Sequence, residues 1–428
     1  MPKRTRIALV SEHASPLALL GGEDAGGQNV YVDELGRHLA ALGYAVDVFT
    51  RRDREDRPEV VEWAPGARVV HLAAGRAAFL PKDRLWALMP AFQRSFLRFM
   101  LRTGARYDLL HGHFWMSGWV VARLRCRLGI PAVQLFHATG MTKRRHQGEA
   151  DTSPDERVAV EREVVHAVDR VIAQCPAEYN ELIEEYGADP ARLSIIPAAV
   201  NTGRFFPVPQ AEARQAVGLP ADGPVVVYVG RMLPRKDVGN LLRAAALLRE
   251  RDLPVRVLLV GGDDTPGSLA ACEVAHLREL ARDLGVADRV IFAGQQQPDR
   301  LRLYYAAGDV AVTTPWYEPF GLTPLEAMAC GRPVVGSAVG GLTFTIQDGV
   351  TGVLVPPRDP AALAAALAHL LGRPALRAAM GEAARARVER EFTWTTTARR
   401  TALLYEALLA ERHGAPPLRE RAVGAEGE

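Results

Sequence analysis

The stretch Pro224-Val-Val-Val-Tyr-Val-Gly230, continued by Arg231-Met-Leu-Pro-Arg-Lys-Asp237 and a patterned run to Arg251, decides the fold. Its first seven residues are nearly all apolar and rich in β-branched side chains, as in a strand buried on both faces. The turn that follows is short and basic. From about Asp237 to Arg251, Val238, Leu241, Leu242, Ala245 and Leu248 recur at the helical period and give the helix one apolar face. A second apolar run, Val255–Gly262, completes a strand–helix–strand unit. Such units build parallel sheets covered by helices on both faces.

The unit repeats in both directions. Upstream, strands are expected at Ile7–Val10, Ala45–Thr50, Ala67–Leu72, Asp108–His113, Pro131–Ala138, Arg170–Gln174 and Leu193–Pro197. Downstream, they are expected at Arg289–Gly294, Val310–Pro315, Pro333–Ser337 and Gly352–Pro356. The pattern breaks at 201–223, where Asn201-Thr-Gly-Arg-Phe-Phe-Pro-Val-Pro209 and a short polar helix read as a linker. The expected architecture is α/β: two doubly wound domains, 1–200 and 224–390, facing each other across a cleft. Helices at about 374–390 and 395–411 follow the last strand, and 391–412 is expected to cross back onto the first domain. Residues 413–428, rich in Gly, Pro and charge, read as a disordered tail.

Composition narrows the function. A chain of 428 residues with 48% hydrophobic and 24% charged residues is globular, with room for two or three domains. A net charge of +2 argues against a nucleic-acid partner. Four cysteines, Cys126, Cys175, Cys272 and Cys330, stand far apart with no metal-binding spacing, as expected of reduced thiols in a cytoplasmic protein. No apolar run reaches the ~18–20 residues of a membrane span, and Ile7–Val10 is too short for a signal-peptide core.

Ligands of such sheets bind at the carboxyl ends of strands, so the turns there carry the chemistry. Gly21-Gly-Glu-Asp-Ala-Gly-Gly-Gln-Asn29 follows the first strand and opens a helix. Glycines there let backbone amides approach a phosphate, although the spacing is neither the dinucleotide nor the P-loop pattern. Arg231 and Lys236 bracket the turn into the next helix, where the dipole favours anions; a bound diphosphate would resolve that mismatch. Only four of the 52 basic residues are lysines, so Lys236 is not drawn from an abundant pool. Further on, Thr323-Pro-Leu-Glu326 reads as a helix start, with Thr323 as N-cap and Glu326 as capping-box partner. Glu318, in the loop before it, has no such local duty. Two carboxylates eight positions apart are placed to accept hydrogen bonds from sugar hydroxyls.

Glu318-Pro-Phe-Gly-Leu-Thr-Pro-Leu-Glu326, Gly230-Arg231-x4-Lys236 and Gly26-Gly27-Gln-Asn-Val-Tyr31 together resemble the retaining glycosyltransferases of family 4. The resemblance runs from about residue 6 to 405, and is nearest to sucrose-phosphate synthases and mycothiol-pathway inositol-phosphate N-acetylglucosaminyltransferases. It implies the GT-B fold and transfer of a hexose from a nucleotide-diphosphate sugar, with UDP the expected nucleotide and no metal or other cofactor. It further implies that Arg231 and Lys236 hold the diphosphate and that Glu326 takes the ribose hydroxyls. Glu318 and the backbone of Phe320, Gly321 and Leu322 would take the sugar, Gly26 and Gly27 the sugar–phosphate end, and His137 would stand beside the sugar.

For the acceptor, Lys82, Lys143, Arg144 and Arg157, with Arg145, suggest a small anionic molecule. The resemblance places a tyrosine and a threonine on inositol phosphate where this chain has Phe114 and Ala138, so a sugar phosphate is expected instead. A neutral sugar, polyol or glycolipid is the alternative. Two further readings are a two-domain oxidoreductase, weakened by the missing GxGxxG, and a non-catalytic sugar-nucleotide sensor. His111-Gly-His113 is expected to be hydrogen-bonded rather than metal-bound, and Asp263-Asp264 to form a solvated turn.

Overall fold

The structure, a computed structural model, describes residues 4–18, 26–262, 265 and 267–412. Two sheets form. The first contains β1 (Arg6–Val10), β2 (Ala45–Arg51), β3 (Val60–Ala64), β4 (Ala67–Leu72), β5 (Leu109–His113), β6 (Ala132–Leu135), β7 (Arg170–Ala173) and β8 (Leu193–Ile195). Its order is β3-β4-β2-β1-β5-β6-β7-β8. The second contains β9 (Val225–Val229), β10 (Arg256–Val260), β11 (Val290–Gly294), β12 (Val310–Thr313), β13 (Val334–Ser337) and β14 (Gly352–Val355), ordered β11-β10-β9-β12-β13-β14. The strand order reverses between β1 and β5 in one sheet and between β9 and β12 in the other, and those switch points open the crevices in which doubly wound folds bind ligands.

Every expected strand is present. One was not expected: β3 pairs antiparallel with β4 at the sheet edge. Its residues Val60-Val-Glu-Trp-Ala64 are exposed or half-buried, so they lack the apolar run that marks the central strands.

Seven helices position the site: α1 (Gly27–Ala41), α2 (Gly140–Gln147), α3 (Arg157–Ala167), α4 (Val238–Glu250), α5 (Leu322–Ala329), α6 (Pro374–Glu391) and α7 (Trp394–Arg412). In α4, Val238, Leu241, Leu242, Ala245 and Leu248 are buried, as their period requires. The span 201–223 is packed onto the second sheet rather than free. Its helix Gln210–Ala216 carries buried Arg214, paired with Asp309 at 2.9 Å.

The chain crosses between the sheets twice, side by side: Val200 bridges Thr393, and Val200 N–H donates to the Phe392 carbonyl at 3.0 Å. Beyond that crossing α7 lies against α1. Tyr405 Oη meets His111 Nδ1 at 2.6 Å, Tyr44 Oη donates to Glu406 at 3.1 Å and Arg170 pairs with Glu411 at 2.5 Å. Trp394 and Tyr405 are thereby buried with the residues of β1 and α1. The tail 413–428, Asp263-Asp264 and Gly21–Ala25 of the glycine-rich stretch lie outside the described residues.

Candidate active site

Both switch points face a cavity of about 320 Å³. Gly26 and Gly27 line it from the first domain; Gly230, Arg231, Arg235, Lys236, Glu318, Leu322 and Glu326 line it from the second. A Cβ on Gly27 would stand 3.2 Å from Leu322 Cδ1 across the cleft, whereas one on Gly26 would meet nothing within 4 Å. Gly26 carries the first turn of α1, its carbonyl accepting from Asn29 N–H at 3.0 Å while its own N–H donates to Asn29 Oδ1 at 2.9 Å.

Lys236 ends a single 3-10 turn, Pro234–Lys236, and Asp237 then takes a left-handed conformation (φ 48°) to start α4. Thr314 Oγ1 fastens that turn by donating to the carbonyls of Asp237 (2.9 Å) and Lys236 (3.2 Å). The sequence showed no carboxylate partner for these cations. The structure corrects this: Lys236 Nζ is ion-paired with Glu318. The two lie 82 positions apart and are brought together only by the adjacency of β9 and β12. Burial lowers the Lys236 ammonium to about 8, with Glu318 opposing the shift. Burial alone would raise the Glu318 carboxyl, but Lys236, Arg235 and Arg231 outweigh it and hold the group below its ordinary value. Three cations therefore act on the Glu318 carboxylate at the cavity wall, and Lys236 is ion-paired with it.

Glu326 departs from its expected role. Helix α5 starts from Gly321 in a left-handed conformation (φ 96°) with no side-chain cap, and Thr323 falls inside the helix. There is no capping box. Glu326 instead accepts from Tyr305 Oη at 2.8 Å and faces the cavity. Burial raises its carboxyl to about 7 against the Tyr305 hydrogen bond. Phe320 is buried and, with Gly321, stands behind the cavity lining.

His137 is outside that lining. It sits just beyond β6 at φ 63°, an unusual angle for a non-glycine residue. Gln174 Nε2 donates to its Nδ1 at 3.3 Å, which leaves the ring proton on Nε2, 3.1 Å from His113 Nδ1. Tyr31 packs edge-on at 5.0 Å. Burial, then His113 and His13, push the His137 pKa well below its ordinary value, so the ring is neutral at pH 7 with both nitrogens engaged. The supporting Tyr31, His113 and Gln174 were not singled out for this role, because nothing in their spacing shows that they meet. His111 and His113 are hydrogen-bonded, to Tyr405 and His137. Among the described residues no group of three His, Cys, Asp or Glu side chains could hold a metal ion.

The expected acceptor cations have partners within the chain. Lys143 pairs with Asp151 and bonds Ser153 Oγ, both at 2.8 Å. Arg144 lies 3.8 Å from Asp151 and donates to the carbonyls of Pro154 and Asp155. Arg157 is buried, pairs with Glu161 at 2.8 Å, donates to the Ala138 carbonyl at 2.6 Å and covers the Phe114 ring. Arg145 pairs with Glu185. Lys82 opens a 3-10 turn next to Asp83, which accepts from Thr152. Lys143, Arg144, Arg145 and Arg157 are therefore matched by Asp151, Glu185 and Glu161, and none of the cluster's cations lines the 320 Å³ cavity.

Comparison with known proteins decides the family. Residues 209–387 match the family described as Glycosyl transferases group 1, and residues 25–204 match Glycosyltransferase Family 4. The chain is 41% identical over 416 residues to a D-inositol 3-phosphate glycosyltransferase of Acidothermus cellulolyticus, covering 96% of this chain and 92% of that one. The chain belongs to the group 1, family 4 glycosyltransferases. A second member of this family, the D-inositol 3-phosphate glycosyltransferase of Kineococcus radiotolerans, is 42% identical, over 96% of this chain and 98% of that protein. Among solved glycosyltransferase structures, sucrose-phosphate synthase from Thermosynechococcus elongatus superposes with a TM-score of 0.88 at 38% identity, over 95% of this chain and all of the other. HepE of Anabaena, solved in complex with UDP-glucose, shares the fold at 21% identity and a TM-score of 0.71, over 94% of this chain and all of that one. Both expectations, the two-domain GT-B architecture and glycosyl transfer, stand. Among the described residues no helix is long and apolar enough to cross a membrane.

Proposed function

We propose that the protein is a retaining glycosyltransferase that moves a glucose- or N-acetylglucosamine-type hexosyl group from UDP to a small phosphorylated acceptor. The observation that carries this reading is the convergence of Arg231, Arg235 and Lys236 on the single carboxylate of Glu318 in the cavity that Glu326 also lines. Leaving-group departure places negative charge on the diphosphate, and cations lining the cavity stabilise that charge. Arg231 and Lys236 take this part. Glu326 accepts from the nucleotide ribose, and Glu318 exchanges its ion pair for hydroxyls of the transferred sugar. The acceptor hydroxyl attacks from the face that the nucleotide leaves, so no enzyme nucleophile and no metal ion are assigned. His137, neutral and doubly hydrogen-bonded, shapes the sugar side and moves no proton. Such chemistry fits the cytoplasm, where nucleotide sugars are at hand.

The acceptor reading draws on relatives named for D-inositol 3-phosphate and on a neighbour named sucrose-phosphate synthase. Phe114 and Ala138 offer no hydroxyl donor, which favours a sugar phosphate over inositol phosphate. A second reading is favoured by one observation: Lys143, Arg144 and Arg157 are already neutralised, as suits a neutral sugar, polyol or glycolipid acceptor. Thermal shift with UDP, GDP and ADP tests the donor, since a nucleotide that binds only the folded state raises Tm. Turnover of UDP-glucose and UDP-N-acetylglucosamine is then measured with fructose 6-phosphate, glucose 6-phosphate, inositol 3-phosphate and their dephosphorylated forms. Faster turnover of the phosphorylated partners supports the first reading. Equal or faster turnover of the others supports the second, and no transfer with any pair overturns both.

A further inference from the structure

Tyr317 directly precedes Glu318 in the loop between β12 and α5, yet its side chain is held by the opposite domain. Its ring stacks on His146 of α2 with centroids 5.0 Å apart and planes 18° from parallel. Its hydroxyl accepts from Gln147 Nε2, also on α2, at 2.5 Å. Within its own domain the guanidinium of Arg235 covers the ring at 5.3 Å. Tyr317 is buried, and burial raises its hydroxyl pKa, so the group is a neutral phenol at pH 7.

Most of the loop is fixed by its own domain; across the cleft, besides Tyr317, Cys175 Sγ donates to the Pro319 carbonyl at 3.5 Å. Gly341 N–H donates to the Glu318 carbonyl at 2.9 Å, and a Cβ on Gly341 would stand 2.4 Å from Phe320 Cα. Trp316 N–H donates to the Arg235 carbonyl at 2.9 Å. Helix α2 is the element that carries Lys143 and Arg144, on the acceptor side. One tyrosine therefore joins the acceptor-side helix of the first domain to the residue beside the Lys236–Glu318 ion pair of the second.

We propose that Tyr317 is a positioning residue: clamped by His146 and Gln147, it sets the Glu318 loop against the first domain, so that the donor sugar is held for transfer only when α2 is in place. The inference rests on the glycosyltransfer reading of the cavity. It follows that loss of the clamp loosens the alignment of sugar and acceptor, while the turn ending at Lys236 keeps its own fastenings from Thr314 and Trp316 and Glu326 keeps its Tyr305 hydrogen bond.

The test uses Tyr317→Ala, Tyr317→Phe and the double variant His146→Ala, Gln147→Ala. The probes are UDP alone, UDP-glucose without acceptor, and UDP-glucose with fructose 6-phosphate. Tyr317→Ala and the double variant are expected to bind UDP within twofold of the parent protein. Transfer kcat should fall about tenfold to a hundredfold, as misalignment near 1 Å does, and hydrolysis of UDP-glucose per transfer should rise. Tyr317→Phe keeps the stacked ring and should recover most of the transfer rate. Amide exchange supplies a reading independent of turnover: the double variant should speed exchange in residues 316–321, across the cleft from the change. Unchanged exchange there in a folded double variant overturns the proposal, as does a transfer-to-hydrolysis ratio equal to the parent's. Should the parent protein transfer no sugar to any acceptor, the glycosyltransfer reading fails, while the exchange experiment still decides whether the clamp exists.

Discussion

Lys236 and Lys143 are two of the four lysines in the chain, each in a small basic cluster beside the cleft, and their surroundings differ in kind. Around Lys236 three cations share one carboxylate, Glu318, and a cavity. Around Lys143 the carboxylates are more numerous: Asp151 is shared by Lys143 and Arg144, Glu161 pairs with Arg157 and Glu185 with Arg145. The first arrangement faces a cavity; the cations of the second do not. Positive charge in a sequence therefore says little until its partners and its exposure to a cavity are known.

The comparison is sharpened most by removing one cation from each cluster. Arg157→Met would strand the buried Glu161 carboxylate, which keeps only the Tyr186 hydroxyl and the Gly140 N–H. Breaking a buried pair this way costs about 3–5 kcal/mol, so thermal denaturation should show a Tm lower by about 10 °C. A shift under 2 °C would mean that Arg157 is not structurally committed and is free to serve an acceptor. Lys236→Ala should do the opposite: Tm nearly unchanged, and kcat/KM lowered by about 2–4 kcal/mol in transition-state terms. Steady-state transfer within threefold of the parent would remove Lys236 from the leaving-group role.

A smaller effect follows from pH. Glu326, raised to about 7, is protonated below that value and no longer offers ribose hydroxyls an anionic acceptor. Lys236, lowered to about 8, loses its charge above it. The kcat/KM profile should therefore be a narrow bell, falling about tenfold at one unit below the acid limb. Glu326→Gln should abolish the acid limb and spare the alkaline one. Stability carries the same signature. The folded protein keeps a proton on Glu326 that the unfolded chain releases near 4.5, so this contribution to stability is full below 4.5 and declines as pH rises to about 7. Glu326→Gln should flatten that part of a Tm–pH curve. The smallest expected effect is none at all: with three cations at the cavity, transfer should survive EDTA, and a loss restored by magnesium or manganese would contradict the metal-free reading.

The sheets were legible because buried parallel strands are uninterrupted apolar runs, and each run in the sequence became a strand. The exception, β3, is an exposed edge strand; Pro65-Gly66 between it and β4 is a turn signal that would have found it. In the site, positions were legible and partnerships were not. Motif spacing brought Lys236, Glu318 and Glu326 to one cavity. The ion pair of Lys236 with Glu318 and the Tyr305–Glu326 hydrogen bond depend on which strands and helices become neighbours, which no local spacing encodes. Thr323 failed as a cap for a local reason: Gly321 turns the chain early, and the helix begins before the threonine.

Helix α7 also bears on the order in which the molecule is made. It is the last described element of the chain, but Trp394, Tyr405 and Leu408 fill a core built from β1, α1 and β2, which are among the first. His111 in β5 takes its Tyr405 hydrogen bond from the same helix. A chain emerging from the ribosome can pair the strands of its second sheet once residue 355 is made and cover it with residues 363–380 and Phe392 soon after, whereas the amino-terminal sheet keeps an apolar face open until residue 408 has been made. The half of the enzyme synthesised first is thus covered only after the second half has been made.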